Sequence, residues 1–184
     1  MNFSIKKLDA SRKDDFFRIH NAACDMGQCY CTAWWVSTWD EWPDRTSDQN
    51  LMLRNEIFQD KIYDGYILYA DDEPVGWCQC CPRDMMPKIR QTYNLVPDHR
   101  VWAVSCFFLH PRWREIGLAH FLLAEIIKDL SLSGVEILQA FPRCGRKLEA
   151  REIWTGPESI FVKSGFKLIQ EDPVHPVYEL TIPR

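Results

Sequence analysis

The stretch from Leu109 to Ile127, LHPRWREIGLAHFLLAEII, contains a candidate anion-binding turn. It begins as the end of an apolar strand and continues as an amphipathic helix, with Arg114, Gly117 and Ala119 at the junction. The first backbone N–H groups of a helix have no partner within it, and the helix dipole makes that end positive, so it attracts phosphate. Gly117 lets the backbone approach a ligand, Ala119 leaves the first turn uncrowded, and Arg114 adds a charge. The junction therefore predicts a site for a phosphate-bearing ligand at the end of a central strand.

Eight cysteines are the second group of residues with possible chemistry, and their spacing argues against a metal site. They lie at positions 24, 29, 31, 78, 80, 81, 106 and 144, grouped as C-x-C at 29–31 and C-x-C-C at 78–81, without a nearby H-x-x-x-H. Zinc sites usually need two to four residues between paired ligands. We therefore expect free thiols packed as small apolar groups, and no metal. A metal site or thiol chemistry would become a candidate again if the fold brought Cys29 and Cys31 close to Cys78 and Cys80.

Length, charge and hydropathy restrict the class of protein. A chain of 184 residues with 46% apolar content is the right size for one core, so we expect a single domain over residues 1–184. The formal net charge is -4 and no block of Lys and Arg stands out, so no nucleic-acid partner is expected. The start does not resemble a secretory signal, and no run approaches the roughly 18 apolar residues of a spanning helix. These features predict a cytoplasmic protein without a membrane partner.

The elements that precede the junction follow from hydrophobic periodicity. The first third reads as helical, around residues 11–24 and 47–60, with a Trp-rich connector between the two helices. Residues 65–81 predict a β-hairpin, and residues 101–109, apolar on both faces, predict a central covered strand. The connector at 82–100 contains three prolines and reads as a long loop, of a length that often belongs to functional lids, but no function is assigned to it.

The elements that follow the junction complete an α/β pattern. A helix is predicted at 117–130 and a strand at 135–141, which together with the central strand imply a parallel β-α-β unit. A short helix ended by Gly165 follows, and strands at 166–170 and 177–182 finish the chain. We therefore expect a mixed α/β sheet with helices on both faces.

The junction and a later segment together resemble the GCN5-related N-acetyltransferase (GNAT) superfamily. Arg114 to Ala119 match its R-x-x-G-x-A motif, and Ile160 to Phe166, IFVKSGF, are similar to its helix-then-Gly-Phe signature. The order of elements also matches, from about residue 4 to 182. The resemblance implies a mostly antiparallel sheet in which the central strand splays from its parallel neighbour. It also implies an enzyme that transfers an acetyl group from acetyl-CoA to a primary amine of a small molecule or peptide.

The resemblance further implies which residues hold acetyl-CoA. The motif turn would hold the pyrophosphate, and the exposed edge of the central strand would hydrogen-bond the pantetheine arm and the acetyl carbonyl through its backbone. The implied cofactor-binding residues are Arg114, Glu115, Ile116, Gly117, Leu118, Ala119 and His120 in the turn, Phe107, Phe108 and Leu109 on the strand, and Phe161 in the later signature.

The usual proton-handling residues of the superfamily are missing at the matching positions. Many members carry a tyrosine where this chain has Phe161, and some carry a glutamate where it has Ala103. The catalytic residues are therefore unknown, and the candidates are Ser105, His99, Glu158 and Asp84. A non-catalytic acyl-CoA sensor is the alternative function, and a cysteine-ligated metal protein is the less favoured one.

The acceptor side is the part on which the sequence is least informative. In this fold the first two helices, their connector and the loop after the hairpin usually wall the acceptor pocket. The tryptophans of that connector form either an aromatic wall for a cation or an apolar amine, or packing that holds the connector in place. They are Trp34, Trp35, Trp39 and Trp42. The identity of the amine is not predicted, and a homodimer is an open possibility.

Overall fold

The computed structural model describes residues 1–23, 29–149 and 152–183, which contain one seven-stranded sheet. The strands are β1 (Phe3–Lys7), β2 (Gly65–Ala70), β3 (Glu73–Pro82), β4 (Val101–Leu109), β5 (Ile137–Ala140), β6 (Lys167–Gln170) and β7 (Val177–Thr181). The α-helices are α1 (Lys13–Asn21), α2 (Ser47–Gln59), α3 (Pro87–Tyr93), α4 (Leu118–Leu132) and α5 (Glu158–Lys163). The spatial order is β1-β2-β3-β4-β5-β7-β6, and all neighbours are antiparallel except the parallel pair β4–β5. The predicted mixed and mostly antiparallel sheet is confirmed.

Two secondary-structure predictions were wrong. The first third is not only helical, because β1 pairs with β2 along its whole length. A five-residue edge strand is too short for its alternation to stand out, and only the pairing with a distant strand stabilises it. The connector at 82–100 is not all loop, because α3 begins with Pro87 and is followed by the capping residue Asn94, whose φ is +51°. Proline is favoured at the first helical position and a left-handed residue often ends a helix.

Helices cover both faces of the sheet. Successive side chains of β2 point to opposite faces of the sheet. Tyr66 and Leu68 pack in the core under α4, while Ile67 and Tyr69 pack in the core under α1 and α2. A strand covered on both faces is apolar along nearly its whole length, as β2 is and as β4 is apart from Ser105. In the part of the chain that the structure describes, no helix has the length and apolar character needed to cross a membrane.

The two groups of cysteines lie on opposite faces of the sheet. Cys78 and Cys80 pack under α4, whereas the Cys31 thiol lies on the α1 side, 3.1 Å from that of Cys106. Burial raises the pKa of Cys31 and Cys78 well above the ordinary value. Among the described residues no group of His, Cys, Asp or Glu side chains is arranged as a metal site. Cys24 lies outside the described residues, and the other seven cysteines are unpaired thiols.

A β-bulge at Ser105 separates β4 from β5. Gln79 pairs with Cys106 and the next residue of β3 pairs with Val104, so Ser105 is an extra residue on β4. The parallel pairing with β5 ends at the same place, at Val104. A bulge bends its strand and commonly ends pairing beside an active site. The far end of β4 consequently leaves β5, as the resemblance implies.

A buried polar network fixes this bulge. Arg54 donates to Asp64 at 2.8 Å, and both side chains are fully buried. The amide of Gln79 donates to the second oxygen of Asp64 at 2.7 Å and to the carbonyl of Cys31 at 2.9 Å. The Ser105 hydroxyl completes the network by donating to the side-chain oxygen Oε1 of Gln79 at 2.9 Å. The network therefore ties α2, the Trp-rich connector and β3 to the point where β4 bends.

Acid is expected to destabilise the fold through His20. Its Nδ1–H donates to the carbonyl of Phe16 at 2.9 Å in the core, and burial lowers its pKa to about 3. An unfolded histidine has a pKa of about 6.5, so the unfolded state binds more protons between these two values. The free energy of unfolding should therefore fall as the pH drops from 6.5 towards 3, by up to about 1.4 kcal/mol per pH unit from this group.

Urea unfolding of the wild type and of His20→Gln at pH 7, 5 and 4 measures this contribution. The variant should show a smaller loss of stability with falling pH, because glutamine takes up no proton. His99→Gln removes an exposed histidine and serves as the control, which should behave like the wild type. An equal pH dependence in all three proteins would contradict the prediction.

Candidate active site

A cavity of about 520 Å³ lies where β4 leaves β5 and α4 begins. Its lining comes from three parts of the chain that the sheet brings together. Phe107, Phe108 and Leu109 come from β4; Arg114, Glu115, Gly117, Leu118, Ala119 and His120 come from the junction; and Ile153, Trp154, Pro157, Ile160 and Lys163 come from α5 and the segment before it. All predicted cofactor-binding residues except Ile116 and Phe161 are thus among the lining residues.

Ile116 and Phe161 have other positions. Ile116 is exposed on the surface of the junction. Phe161 is fully buried, with ring centroids 6.0 Å from Phe107 and 5.4 Å from Phe166. Residues three apart share a face of a helix, so Ile160 and Lys163 face the cavity from α5 while Phe161 faces the core. Phe161 therefore supports β4 from behind and does not line the cavity.

The first turn of α4 presents unpaired backbone donors. Gly117 precedes the helix with a φ of +86°, and a Cβ added there would meet no atom within 4 Å. The first bond of the helix runs from the N–H of Phe121 to the carbonyl of Gly117 at 3.1 Å. The N–H groups of Leu118, Ala119 and His120 therefore have no intrahelical acceptor, and no side chain caps this end. Their position at the positive end of the helix dipole suits an anion.

Positive side chains surround this helix end. The Nε of Arg114 donates to the carbonyl of Leu109 at 2.8 Å, which holds the guanidinium over the end of β4. Lys163 reaches the same cavity from α5, and Glu115 is the acidic residue of the lining. Lys163 was not among the predicted site residues, although its spacing from Ile160 on a short helix was a usable signal. The cavity combines a cationic end with apolar walls.

The four candidate proton-handling residues lie outside the cavity lining. Ser105 is fully buried in the bulge, and His99 is exposed ahead of β4, at the opposite end of that strand. Glu158 accepts a hydrogen bond from the Tyr178 hydroxyl. Asp84 accepts hydrogen bonds within the connector that follows β3. The structure thus gives Ser105 a structural role and brings none of these four side chains to the exposed edge of β4.

A second cavity, of about 220 Å³, shares Trp154 with the first. Aromatic rings form most of its wall: the Trp34 ring lies 5.3 Å from that of Trp39, 5.5 Å from Trp154 and 6.3 Å from Tyr93. The remaining lining residues are Thr92, Arg143, Thr155 and His175. The Trp-rich connector and α3 both contribute to this wall.

The hydrogen bonds of the indole N–H groups show which tryptophans line the cavity and which hold the connector in place. The Nε1–H of Trp34 donates to the carbonyl of Ser105 at 3.1 Å, and that of Trp39 donates to the Thr92 hydroxyl at 2.8 Å. With their N–H groups engaged, these two side chains offer apolar ring surface to the cavity. Trp35 does not line it and donates to Asp64 at 3.2 Å instead. Trp34 and Trp39 thus form part of an aromatic wall, whereas Trp35 holds the connector in place.

Gly156 allows the shared residue Trp154 to lie between the cavities. The φ of Gly156 is +98°, and an added Cβ would lie 2.8 Å from the Phe107 ring and 2.9 Å from the Phe161 ring. Only glycine permits this approach, because both neighbours are packed rings. The approach brings the carbonyl of Trp154 within 2.7 Å of the N–H of Phe107, the group that β5 would otherwise engage. Sequence reasoning missed Trp154, although the run Trp-Thr-Gly-Pro ahead of a short helix was a usable signal.

Comparison with known families agrees with this geometry. The sequence profile of the Acetyltransferase (GNAT) family matches residues 30–146. The chain belongs to the GNAT acetyltransferase family. This GNAT protein is accordingly an acyltransferase that uses acetyl-CoA, and both the motif turn and β4 lie within the matched region. A comparison with curated proteins finds no significant match.

Solved structures share the fold at low sequence identity. The PaiA N-acetyltransferase of Thermoplasma acidophilum, solved in complex with coenzyme A, is 14% identical with a TM-score of 0.57, over 98% of this chain and 99% of that one. An N-acetyltransferase of Staphylococcus aureus Mu50 is 14% identical with a TM-score of 0.57, over 100% of both chains. The ribosomal-protein-S18-alanine N-acetyltransferase of Escherichia coli is 12% identical with a TM-score of 0.56, over 100% and 96%. At these identities the likeness establishes the GNAT fold.

Proposed function

We propose that this GNAT protein transfers the acetyl group of acetyl-CoA to a primary amine of a small molecule or peptide, as a single domain over residues 1–184. The observation that carries the proposal is the larger cavity, into which both the free end of β4 and the first turn of α4 open. The smaller aromatic cavity, on the other side of Trp154, is the proposed acceptor site. The unpaired thiols fit a reducing compartment, so we place the protein in the cytoplasm.

The residues of the larger cavity fit the donor. The open space at Gly117 and the free N–H groups of the first turn suit a pyrophosphate, while Arg114 and Lys163 add positive charge. When bound, acetyl-CoA supplies an acetyl thioester. The apolar side chains of Ile153 and Ile160 form a wall for the uncharged part of the donor.

The edge of β4 supplies donors for a carbonyl or an amide. The N–H of Phe107 points away from β3 to the Trp154 carbonyl. The direction of N–H groups alternates along an antiparallel pair, so the N–H of Leu109, two residues on, faces the same side. Leu109 lines the cavity, and its carbonyl already accepts from Arg114. We assign the Leu109 N–H to the donor molecule, and the Phe107 N–H to the segment that carries Trp154.

The aromatic cavity favours the unprotonated form of the acceptor amine, so no side chain is needed as a dedicated base. Only the neutral form of an amine attacks a carbonyl, and burial in apolar surroundings favours that form. Among the described residues no carboxylate lines this cavity to hold an ammonium ion, and Arg143 on its wall disfavours one. A thiolate is a good leaving group compared with an amine, so the lack of a tyrosine at Phe161 costs about 10² to 10⁴ in rate at most.

Thiol release from acetyl-CoA in the presence of an amine panel tests the proposal. We expect saturable release that requires the amine and rises with pH as the amine loses its proton. Protein without acetyl-CoA is the control, because Cys29 and Cys144 are partly exposed and react with thiol reagents themselves. Coenzyme A binding without turnover on any amine would instead establish the sensor, which the absence of the usual proton-handling residues favours.

A further inference from the structure

We propose that the smaller cavity accepts an aromatic amino acid, an inference that rests on the acetyltransferase function proposed above. The flat side chain would lie among Trp34, Trp39 and Tyr93, the carboxylate at Arg143 and Thr155, and the amine towards Trp154. The transfer forms an amide C–N bond and breaks the thioester C–S bond. The proton lost from the nitrogen balances the thiolate, so coenzyme A leaves as the thiol.

The size of the cavity limits the acceptor. Its volume of about 220 Å³ is below the range of roughly 300 to 1,000 Å³ for sites of drug-sized ligands. It corresponds to the space of about seven waters at roughly 30 Å³ each. A single amino acid fits such a space. A folded protein could insert no more than one side chain or a terminal residue.

Two orphaned polar groups on the wall indicate a carboxylate. Thr155 is only 4% exposed, and its hydroxyl has no hydrogen-bond partner among the described residues. The Nε of Arg143 is also buried without a partner there, while its Nη2 lies 3.3 Å from a carboxylate oxygen of Glu152. Buried donors are normally paired. These two belong to residues of one cavity but are covered from its open space, so a small side-chain rotation would bring them to an acceptor from outside the chain. A carboxylate accepts from both and is the preferred partner of a guanidinium.

The charge of the wall argues against polyamines and other dications. The charged side chain of this lining is Arg143, and its carboxylate neighbour Glu152 is already paired with it. A second ammonium group would therefore enter without a counter-charge, which burial makes costly. The ring surfaces of Trp34 and Trp39 instead favour a flat apolar side chain.

Binding and turnover with three matched probes test the substrate class. L-Phenylalanine carries the ring, the amine and the carboxylate; phenethylamine lacks the carboxylate; and spermidine lacks the ring and carries extra amines. With coenzyme A present, L-phenylalanine should change the tryptophan fluorescence saturably, because three indoles line the cavity. It should also give the highest kcat/KM for thiol release. Tighter binding or faster release with phenethylamine or spermidine would overturn the proposal.

Two variants and a control test whether Arg143 and Thr155 bind the carboxylate of the amino acid. Arg143→Gln should raise the Kd for L-phenylalanine about tenfold or more, whereas the Kd for the cationic phenethylamine should stay the same or fall. Thr155→Val should also weaken L-phenylalanine binding, yet keep or raise the melting temperature, because it removes an unpaired buried hydroxyl. Arg146→Gln, exposed on the same segment and outside both cavities, should behave like the wild type.

The outcomes separate this inference from the proposed function. If Arg143→Gln weakens both aromatic probes equally, or Thr155→Val binds L-phenylalanine like the wild type, the carboxylate site is wrong. Release of thiol with other amines but not with L-phenylalanine would leave the acetyltransferase function standing and refute the substrate class. Absence of thiol release with every amine would refute the function, while the fluorescence titrations would still decide whether the cavity takes an aromatic amino acid.

Discussion

Replacing Gly117 with valine is expected to weaken the binding of coenzyme A by about ten- to a hundredfold. Hydrogen bonds to a charged group contribute about 1.5–3 kcal/mol, and the first turn of α4 offers several to a pyrophosphate. A φ of +86° is strained for a β-branched residue, by about 1–3 kcal/mol, so the turn will relax and its N–H groups will rotate away. The added side chain would also occupy the open space in front of the turn. Titration calorimetry with coenzyme A measures the change in Kd.

Gly134→Val is the matched control for this variant. Gly134 follows α4 at its other end, has a φ of +74° and likewise has no atom within 4 Å of an added Cβ. The two variants should therefore lose similar amounts of unfolding free energy, while only Gly117→Val loses affinity for coenzyme A. Equal affinity in both variants and the wild type would show that the pyrophosphate does not bind at this turn.

Replacing Arg54 with methionine is expected to lower the free energy of unfolding by about 3–5 kcal/mol. The substitution leaves the carboxylate of Asp64 buried and charged, with Gln79 and Trp35 as its remaining donors among the described residues. Removing one partner of a buried ion pair is costly for this reason, although the intact pair adds little net stability. Because the same network holds the bulge at Ser105, thiol release should fall as well, at temperatures where the variant is still folded. Urea unfolding followed by tryptophan fluorescence measures the loss of stability.

Arg112→Met is the control for Arg54→Met, because it makes the same substitution at an exposed ion pair. Arg112 pairs with Glu73 on the surface, where the two side chains are 57% and 48% exposed, so its removal should cost less than about 1 kcal/mol. The double variant Arg54→Met with Asp64→Leu should recover part of the lost stability, because it removes the uncompensated charge together with its partner. A loss as small as that of Arg112→Met would mean that Asp64 is satisfied without Arg54.

Much of the fold was readable from local patterns. The hairpin of β2 and β3, the covered strand β4, and helices α1, α2, α4 and α5 were predicted within a few residues of their observed bounds. Their apolar residues repeat at the period of their own element, and such a pattern depends only on neighbours in the chain. β1 and α3 were missed because the first depends on pairing with a distant strand, and the second lies among prolines that suggested a loop.

The sequence by itself determined the motif turn of this GNAT protein, which is the proposed donor side. The turn from Arg114 to Ala119 joins a strand directly to a helix, so its unpaired N–H groups and its glycine are set within a dozen residues. The proposed acceptor side was decided by the tertiary structure. Trp39 and Tyr93 come from two connectors, Arg143 and Trp154 from either side of a later loop, and they meet only because the sheet brings these segments together. Phe161 and Lys163 are two residues apart on one short helix, and only its packing shows that the first faces the core and the second faces the cavity.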